Sequence, residues 1–129
     1  MADYTLTVRI DDDPPAAEER VRAALQEEGF GILTEIDVAA TFESKLDVDM
    51  EPYKILGACN PPLAYEALGK DRNVGALLPC NVVLRGLSGG GTQVIAADPA
   101  AMLDVAGPEL ADVASEARAR IERALRSLS

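Results

Sequence analysis

Two kinds of apolar periodicity alternate along the 129-residue chain, and this alternation restricts its fold more than any other feature. In segment 4–10 the apolar residues recur at every second position, as expected for a strand with one buried face. In segment 14–28 they recur at helical spacing, and Gly29 then provides the stop. Strands and helices are therefore predicted to interleave.

The remaining segments extend the same pattern to the end of the chain. Further strands are predicted at 30–38, 53–58, 76–87 and 92–97, and helices at 39–46, 61–69 and from 108 onward, with a short helical turn at 99–105. The resulting order, β-α-β-(α)-β-α-β-β-α, predicts an α+β fold. We expect a single mixed, mostly antiparallel sheet of about five strands, with helices packed on one side.

One position within the fourth predicted strand is unusual. Pro79 lacks the N–H that a strand donates to its neighbour, so it is predicted at a strand edge, a strand start or a bulge. The glycines of segment 88–91 predict a hairpin turn between the fourth and fifth strands.

The length and composition predict one domain spanning residues 1–129. A chain of this size, 48% apolar, buries enough surface to fold without cross-links. No apolar run approaches the roughly 20 residues that span a bilayer. Segment 1–10 lacks the basic start and apolar block of a signal peptide, so we expect a cytoplasmic protein without a membrane partner.

The formal net charge of −10 argues against a nucleic-acid partner, since phosphate binding requires a basic face. The chain has 22 acidic residues, and its 12 basic residues are nine Arg and three Lys. Many carboxylates and few lysines suit a protein held in concentrated salt, where screening weakens self-repulsion. The composition therefore favours a halophilic source.

Several catalytic classes are excluded by missing residues. The chain has no histidine, so neither a Ser-His-Asp nor a Cys-His mechanism is available, and no imidazole can bind a metal. The glycine run 89–91 is not followed by Lys-Ser or Lys-Thr, so it is not a phosphate-binding loop.

Two segments each contain a cysteine followed by asparagine, and they are the best candidates for a site. Cys59 lies between a predicted strand and the helix that begins at Pro61 and Pro62. A cysteine next to helix N–H groups and the positive end of the helix dipole is typical of a nucleophile or a metal ligand. The alternative is a small, buried apolar residue, which is common for a free cysteine.

The second segment places Cys80 and Asn81 directly after Pro79. If the two strands are neighbours, Cys59 and Cys80 lie close enough to share a metal or to form a redox pair. Two cysteines supply half of a structural zinc site, so carboxylates or a second subunit would complete it. Asn60 and Asn81 are predicted to cap turns or to hold a ligand by hydrogen bonds.

A pair of carboxylates forms a third candidate group. Glu35 and Asp37 are predicted on the same face of the second strand, where such a pair can bind a cation or exchange protons. A solvated strand face is the alternative. Lys45, one of three lysines, is a candidate to neutralise them.

Three segments resemble the domain-of-unknown-function 302 family (DUF302). They are Thr34-Glu-Ile-Asp-Val38, Tyr53-Lys-Ile-Leu-Gly-Ala-Cys-Asn-Pro-Pro62 and Leu77-Leu-Pro-Cys-Asn-Val82. The resemblance implies a small α+β domain with a helix-covered sheet and attaches no general activity to it. The family's recurring positions correspond here to Glu35, Asp37, Lys45, Tyr53, Lys54, Gly57, Cys59, Asn60, Pro61, Pro62, Pro79, Cys80 and Asn81. The stretch 47–50 departs from the pattern, because a glycine is usual after the short helix.

Three functions remain open from the sequence. The first is a ligand- or metal-binding module, with a redox link, centred on Cys59 and Cys80. The second is an interaction or regulatory domain that forms a homodimer and buries its cysteines in the core. The third is a Cys-dependent enzyme with a Cys59 thiolate as nucleophile, in which Lys45 or a carboxylate would have to replace histidine as the base. No cofactor, substrate or catalytic residue is predicted.

Overall fold

The computed structural model describes residues 4–129, so the first three residues of segment 1–10 lie outside it. Five strands form one sheet in the order β1-β5-β4-β3-β2. The strands are β1 (Thr5–Ile10), β2 (Gly31–Asp37), β3 (Tyr53–Cys59), β4 (Cys80–Gly86) and β5 (Thr92–Ala97). All four pairings between neighbouring strands are antiparallel. The predicted α+β class is confirmed, and the sheet is antiparallel throughout rather than mixed.

Within the described residues, five α-helices connect and cover these strands. They are α1 (Pro14–Glu27), α2 (Val38–Leu46), α3 (Pro61–Lys70), α4 (Pro99–Leu103) and α5 (Ala111–Arg126). Three short 3-10 turns accompany them, at Arg72–Leu77, Asp104–Ala106 and Pro108–Leu110. The side chain of Asp13 caps α1 by accepting from the N–H of Ala16 at 3.1 Å, and Gly29 at φ 87° follows its last turn.

The main core lies between one face of the sheet and helices α1 and α5. Alternate residues of the central strands point into it, which is why those strands alternate between buried and half-buried positions. Its fully buried side chains include Val21, Leu25, Leu56, Val82, Leu84, Val94 and Ile121. The absence of tryptophan is accommodated because aliphatic side chains fill this layer.

A second, smaller core lies beside the first. Helices α3, α4 and α5 and the turn Arg72–Leu77 enclose it. Its buried residues are Ala67, Val74, Leu103, Leu110, Val113 and Ala114.

The opposite face of the sheet is less covered. Ile55 pairs with Val83 and Val83 with Ile95 across three strands, and all three are half-buried. Ile36, which pairs with Ile55, is 52% exposed. This open face presents aliphatic side chains to its surroundings.

Element boundaries differ from the predictions where proline or a bulge intervenes. The apolar run 76–87 was predicted as one strand, but the chain forms the 3-10 turn Arg72–Leu77, and β4 begins after Pro79. Pro79 thus precedes a strand start, one of its three predicted positions. In β2 the register shifts between Ile32 and Thr34, and Val38 starts α2 instead of ending the strand.

Within residues 4–129, no helix has the length and apolar character needed to cross a membrane.

Candidate functional site

Antiparallel pairing of β3 and β4 brings the two cysteine segments together. Ala58 pairs with Cys80 at the end of the two strands, and Cys59 follows Ala58 directly. Cys59 and Cys80 are both free thiols, and both line one cavity of about 280 Å³. The predicted convergence of the two segments at one pocket therefore has a physical basis in the strand register.

The cavity is open to solvent at one side, and its surface is almost entirely apolar. The two strand ends form its floor, and the second core forms its walls through α3, α4, α5 and the segment before β4. Its lining includes Phe30, Leu33, Leu63, Ala64, Ala67, Leu78, Pro99, Leu103, Val113 and Ala117. Among the described residues that line it, none carries a charge.

Cys80 is partly buried and packs against the main core. Burial raises the pKa of Cys80 to about 11, and the neighbouring Cys59 adds to the rise. Because the charged form is disfavoured, Cys80 is a neutral thiol near pH 7. A neutral thiol is a poor nucleophile and contributes to the apolar character of the cavity.

The start of α3 offers Cys59 few hydrogen-bond donors. Pro61 and Pro62 have no N–H, and the N–H of Leu63 donates to the side chain of Asn60 at 3.3 Å. The helix N–H groups that would stabilise a thiolate are thus missing or already occupied. The local geometry gives little support to the hypothesis that α3 activates Cys59.

The side chain of Asn60 forms hydrogen bonds with backbone groups next to the cavity. Its side chain is buried, caps α3, and also donates to the backbone carbonyl of Glu28 at 3.3 Å. This second bond joins α3 to the end of α1. The predicted capping role of Asn60 agrees with the geometry, and both ends of its amide have partners in the protein.

Asn81 lies away from the cavity. It pairs with Gly57 and is exposed, next to Val83 on the open face of the sheet. Since successive strand residues point to opposite faces, Cys80 and Asn81 occupy different sides. Asn81 is thus not among the residues that line the cavity together with Cys59.

The predicted acidic group is also separate from the cysteines. Glu35 pairs with Leu56 and Asp37 with Lys54, which places them three and five positions from Cys59 along β3. At roughly 3.3 Å per residue these offsets are about 10 Å and about 17 Å. Asp37 caps α2 by accepting from the N–H of Ala40 at 2.9 Å.

Glu35 forms ion pairs with other residues than Lys45, the partner that the sequence indicated. Its carboxylate contacts Arg22 at 2.7 Å and Lys54 at 3.4 Å. Lys54 also contacts Glu18 at 3.0 Å. Within the described part of the chain, no ion pair joins Lys45 to Glu35 or Asp37. The carboxylate of Glu18, and after it that of Glu35, raises the pKa of Lys54, so the Lys54 amine stays in its charged form.

A metal site formed only by residues of this chain would have few ligands. In the described range 4–129, no group of three or more Cys, Asp and Glu side chains has an arrangement that could hold a metal ion. The two thiols therefore remain a predicted pair of metal ligands. They would suffice only for a soft metal with two ligands, and any other metal would need ligands from another molecule.

The fold and the site define a small α+β domain with an apolar, cysteine-lined cavity at one end of an antiparallel sheet. The chain belongs to the family described as "Domain of unknown function DUF302", whose model matches residues 6–128. It is similar to an uncharacterized conserved DUF302 protein from Bacillus stearothermophilus, known from its crystal structure. The two are 28% identical, with a TM-score of 0.91 over 99% of this chain and 100% of that chain. No curated protein matches the chain.

Proposed function

We propose that this protein is a ligand- or metal-binding module centred on Cys59 and Cys80. The observation that supports this proposal most is that both cysteine segments line one apolar cavity. Small-molecule sites are typically concave, mostly apolar and few per protein. A cavity of about 280 Å³ lies at the lower end of the size of such sites.

The structure gives less support to a Cys-dependent enzyme. The predicted nucleophile, Cys59, lies about 17 Å along β3 from Lys54, the residue that pairs with Asp37. A nucleophile needs a base within hydrogen-bond distance, and none of the residues lining the cavity is a base.

The metal and chromophore content of protein purified without air and in high salt tests the proposal. We expect a bound metal or absorbing compound that the Cys80→Ser variant loses. The Ser115→Ala variant changes an exposed hydroxyl on α5 and serves as the control, with wild-type content. Metal-free, colourless protein with slowly reacting thiols would count against a cysteine-centred site.

A homodimer that forms through the open face is the second candidate. The half-buried side chains of Ile55, Val83 and Ile95 form an aliphatic stripe there, and Met102 and Ile36 flank it. An exposed apolar patch of this kind is typical of an interface. A second copy would cover the same patch on its partner, as a two-fold contact requires.

Sedimentation equilibrium distinguishes this candidate. We expect Ile95→Glu to shift a dimer to the monomer, because a carboxylate would be buried at the centre of the contact. The Ala23→Glu variant adds the same charge at an exposed position of α1 and should leave the assembly unchanged. A wild-type protein that sediments as a monomer at all concentrations would exclude the dimer.

A further inference from the structure

We infer that the cavity at Cys59 and Cys80 selects a neutral aromatic molecule of about two fused rings. The inference rests on the proposed ligand-binding function and specifies the chemical class of the ligand. Size, charge and the nature of the lining atoms each support it.

The size of the cavity supports two rings. A cavity of roughly 150 Å³ lined by aliphatic and aromatic side chains binds one benzene molecule. The present cavity is about 280 Å³, nearly twice that volume. A bicyclic compound such as a naphthalene fills this space, whereas a single ring leaves part of it empty.

The lining excludes a charged ligand. None of the residues that line the cavity within 4–129 is Arg, Lys, Asp or Glu. Its one amide, that of Asn60, already binds the N–H of Leu63 and the carbonyl of Glu28. A carboxylate or phosphate that entered the cavity would lose its water without gaining a partner, which is strongly unfavourable.

The sulfur and aromatic atoms favour a flat, polarisable ligand. Phe30 is 3% exposed and lines the cavity together with both cysteines. Thioether and thiol sulfur atoms make favourable contacts with aromatic rings, and aromatic pairs gain further energy from edge and stacked arrangements. Cys80 makes such contacts as an uncharged thiol, so it acts here as part of the binding surface rather than as a nucleophile.

A titration with a matched pair of probes tests this inference. The probes are 2-methylnaphthalene and 2-naphthoate, which share the rings and differ in the charge of one substituent. Naphthalene fluorescence is easy to follow because the chain has no tryptophan. We expect the neutral probe to bind at least about 100-fold more tightly, since the carboxylate would be buried without a partner.

Two further measurements locate the binding. Saturating 2-methylnaphthalene should slow the alkylation of Cys59 and Cys80 in the wild-type protein. Ala64→Phe introduces a ring on the cavity side of α3 and should weaken binding at least about tenfold, because it occupies the space of one ring. Ala23→Phe makes the same change at an exposed position of α1 and should bind like the wild type.

Equal affinity for the two probes, or unchanged alkylation when the neutral probe is bound, would overturn the inference. A protein that binds neither probe but retains a metal that Cys80→Ser loses would also overturn it, and the proposed function would stand. A protein that binds neither probe nor metal would overturn both.

Discussion

At the scale of single residues, one buried glycine of β3 lies in close contact with the segments on both sides of it. A Cβ built on Gly57 would contact Oγ1 of Thr34 and would lie 2.9 Å from Cγ of Pro79. Gly57 is fully buried between these neighbours on β2 and before β4. Only a residue without a side chain lets Thr34 and Pro79 approach the backbone of β3 this closely.

Gly57→Ala should therefore destabilise the protein by about 1–3 kcal/mol, the usual cost of overpacking. Gly31→Ala is the control, because it also lies on a strand and a Cβ there meets nothing within 4 Å. Urea unfolding of both variants measures the difference. If the two changes have the same effect, steric crowding at Gly57 is not the reason for the glycine.

Because the thiol of Cys80 is buried, the stability of the folded protein should decrease as the pH becomes alkaline. Its pKa is raised from 9.0 to about 11 in the folded protein. Between these values the unfolded chain loses the thiol proton and the native chain keeps it, so stability falls as pH rises. The total loss is up to about 3 kcal/mol, and the contribution is fully present below about pH 8, one unit under the pKa of the unfolded chain.

Urea unfolding at pH 7, 9 and 10.5 tests this dependence in wild type and in Cys80→Ala. The difference in unfolding free energy between the two proteins should stay constant up to about pH 8 and decrease above it. Other alkaline groups titrate in both proteins and cancel. A difference that does not change with pH would show that the thiol ionises as readily in the native state as in the unfolded chain.

At the scale of elements, α3 is held by the residue that precedes it, Asn60. The side chain of Asn60 accepts from the N–H of Leu63, since Pro61 and Pro62 have none to offer, and donates to the carbonyl of Glu28 at the end of α1. Asp37 caps α2 through a single bond and lies in an exposed region. The two caps differ in burial and in the number of their partners.

Asn60→Ala should destabilise the protein by about 2–3 kcal/mol, because it removes the cap and leaves the carbonyl of Glu28 with one bond fewer. Asp37→Ala, the matched cap deletion, should cost about 1 kcal/mol. Thermal unfolding monitored by circular dichroism measures both. Equal losses would show that the bond from Asn60 to α1 adds nothing to stability.

Much of the order of helices and strands could be predicted, because apolar periodicity and the glycines and prolines that end or precede elements are local features of the sequence. The helix ending at Gly29 and the start of β4 after Pro79 depend on backbone properties of single residues. The cavity walls could not be predicted, since Phe30, Pro99 and Val113 meet only after the sheet is assembled.

The predicted role of Lys45 shows the same limit. Lys45 was a candidate to neutralise Glu35 and Asp37 because it is one of three lysines, whereas the structure pairs Lys54 with Asp37 in the sheet and brings it within 3.4 Å of Glu35. A half-buried cation between two acidic side chains is visible only after β2, β3 and α1 are placed. The capping function of Asn60, by contrast, follows from its place before two prolines.

At the scale of the whole molecule, the acidic surface should make stability depend on salt. The net charge is −10, and most acidic residues are exposed. Raising KCl from about 0.1 M to about 1 M shortens the screening length from roughly 10 Å to roughly 3 Å, which reduces self-repulsion. We expect the melting temperature to rise by at least about 3 °C.

A variant with fewer charges provides the control. Glu19→Gln, Glu27→Gln and Glu109→Gln together remove three exposed carboxylates that have no ion pair within the described chain. The triple variant should melt higher in low salt and gain less from added KCl. A melting temperature that falls with salt would indicate that the ion pairs matter more than the repulsion.

Strands form the floor of the cavity and helices form its walls, and this arrangement determines which substitutions can alter the cavity. The strand register sets the chemistry of the floor, because a shift of one residue would turn Cys80 outward and Asn81 inward. The walls come from the connecting segments, where substitutions and changes of length leave the pairing of β3 and β4 intact. The dimensions of the cavity can thus change while Cys59 and Cys80 keep their places on the two strands.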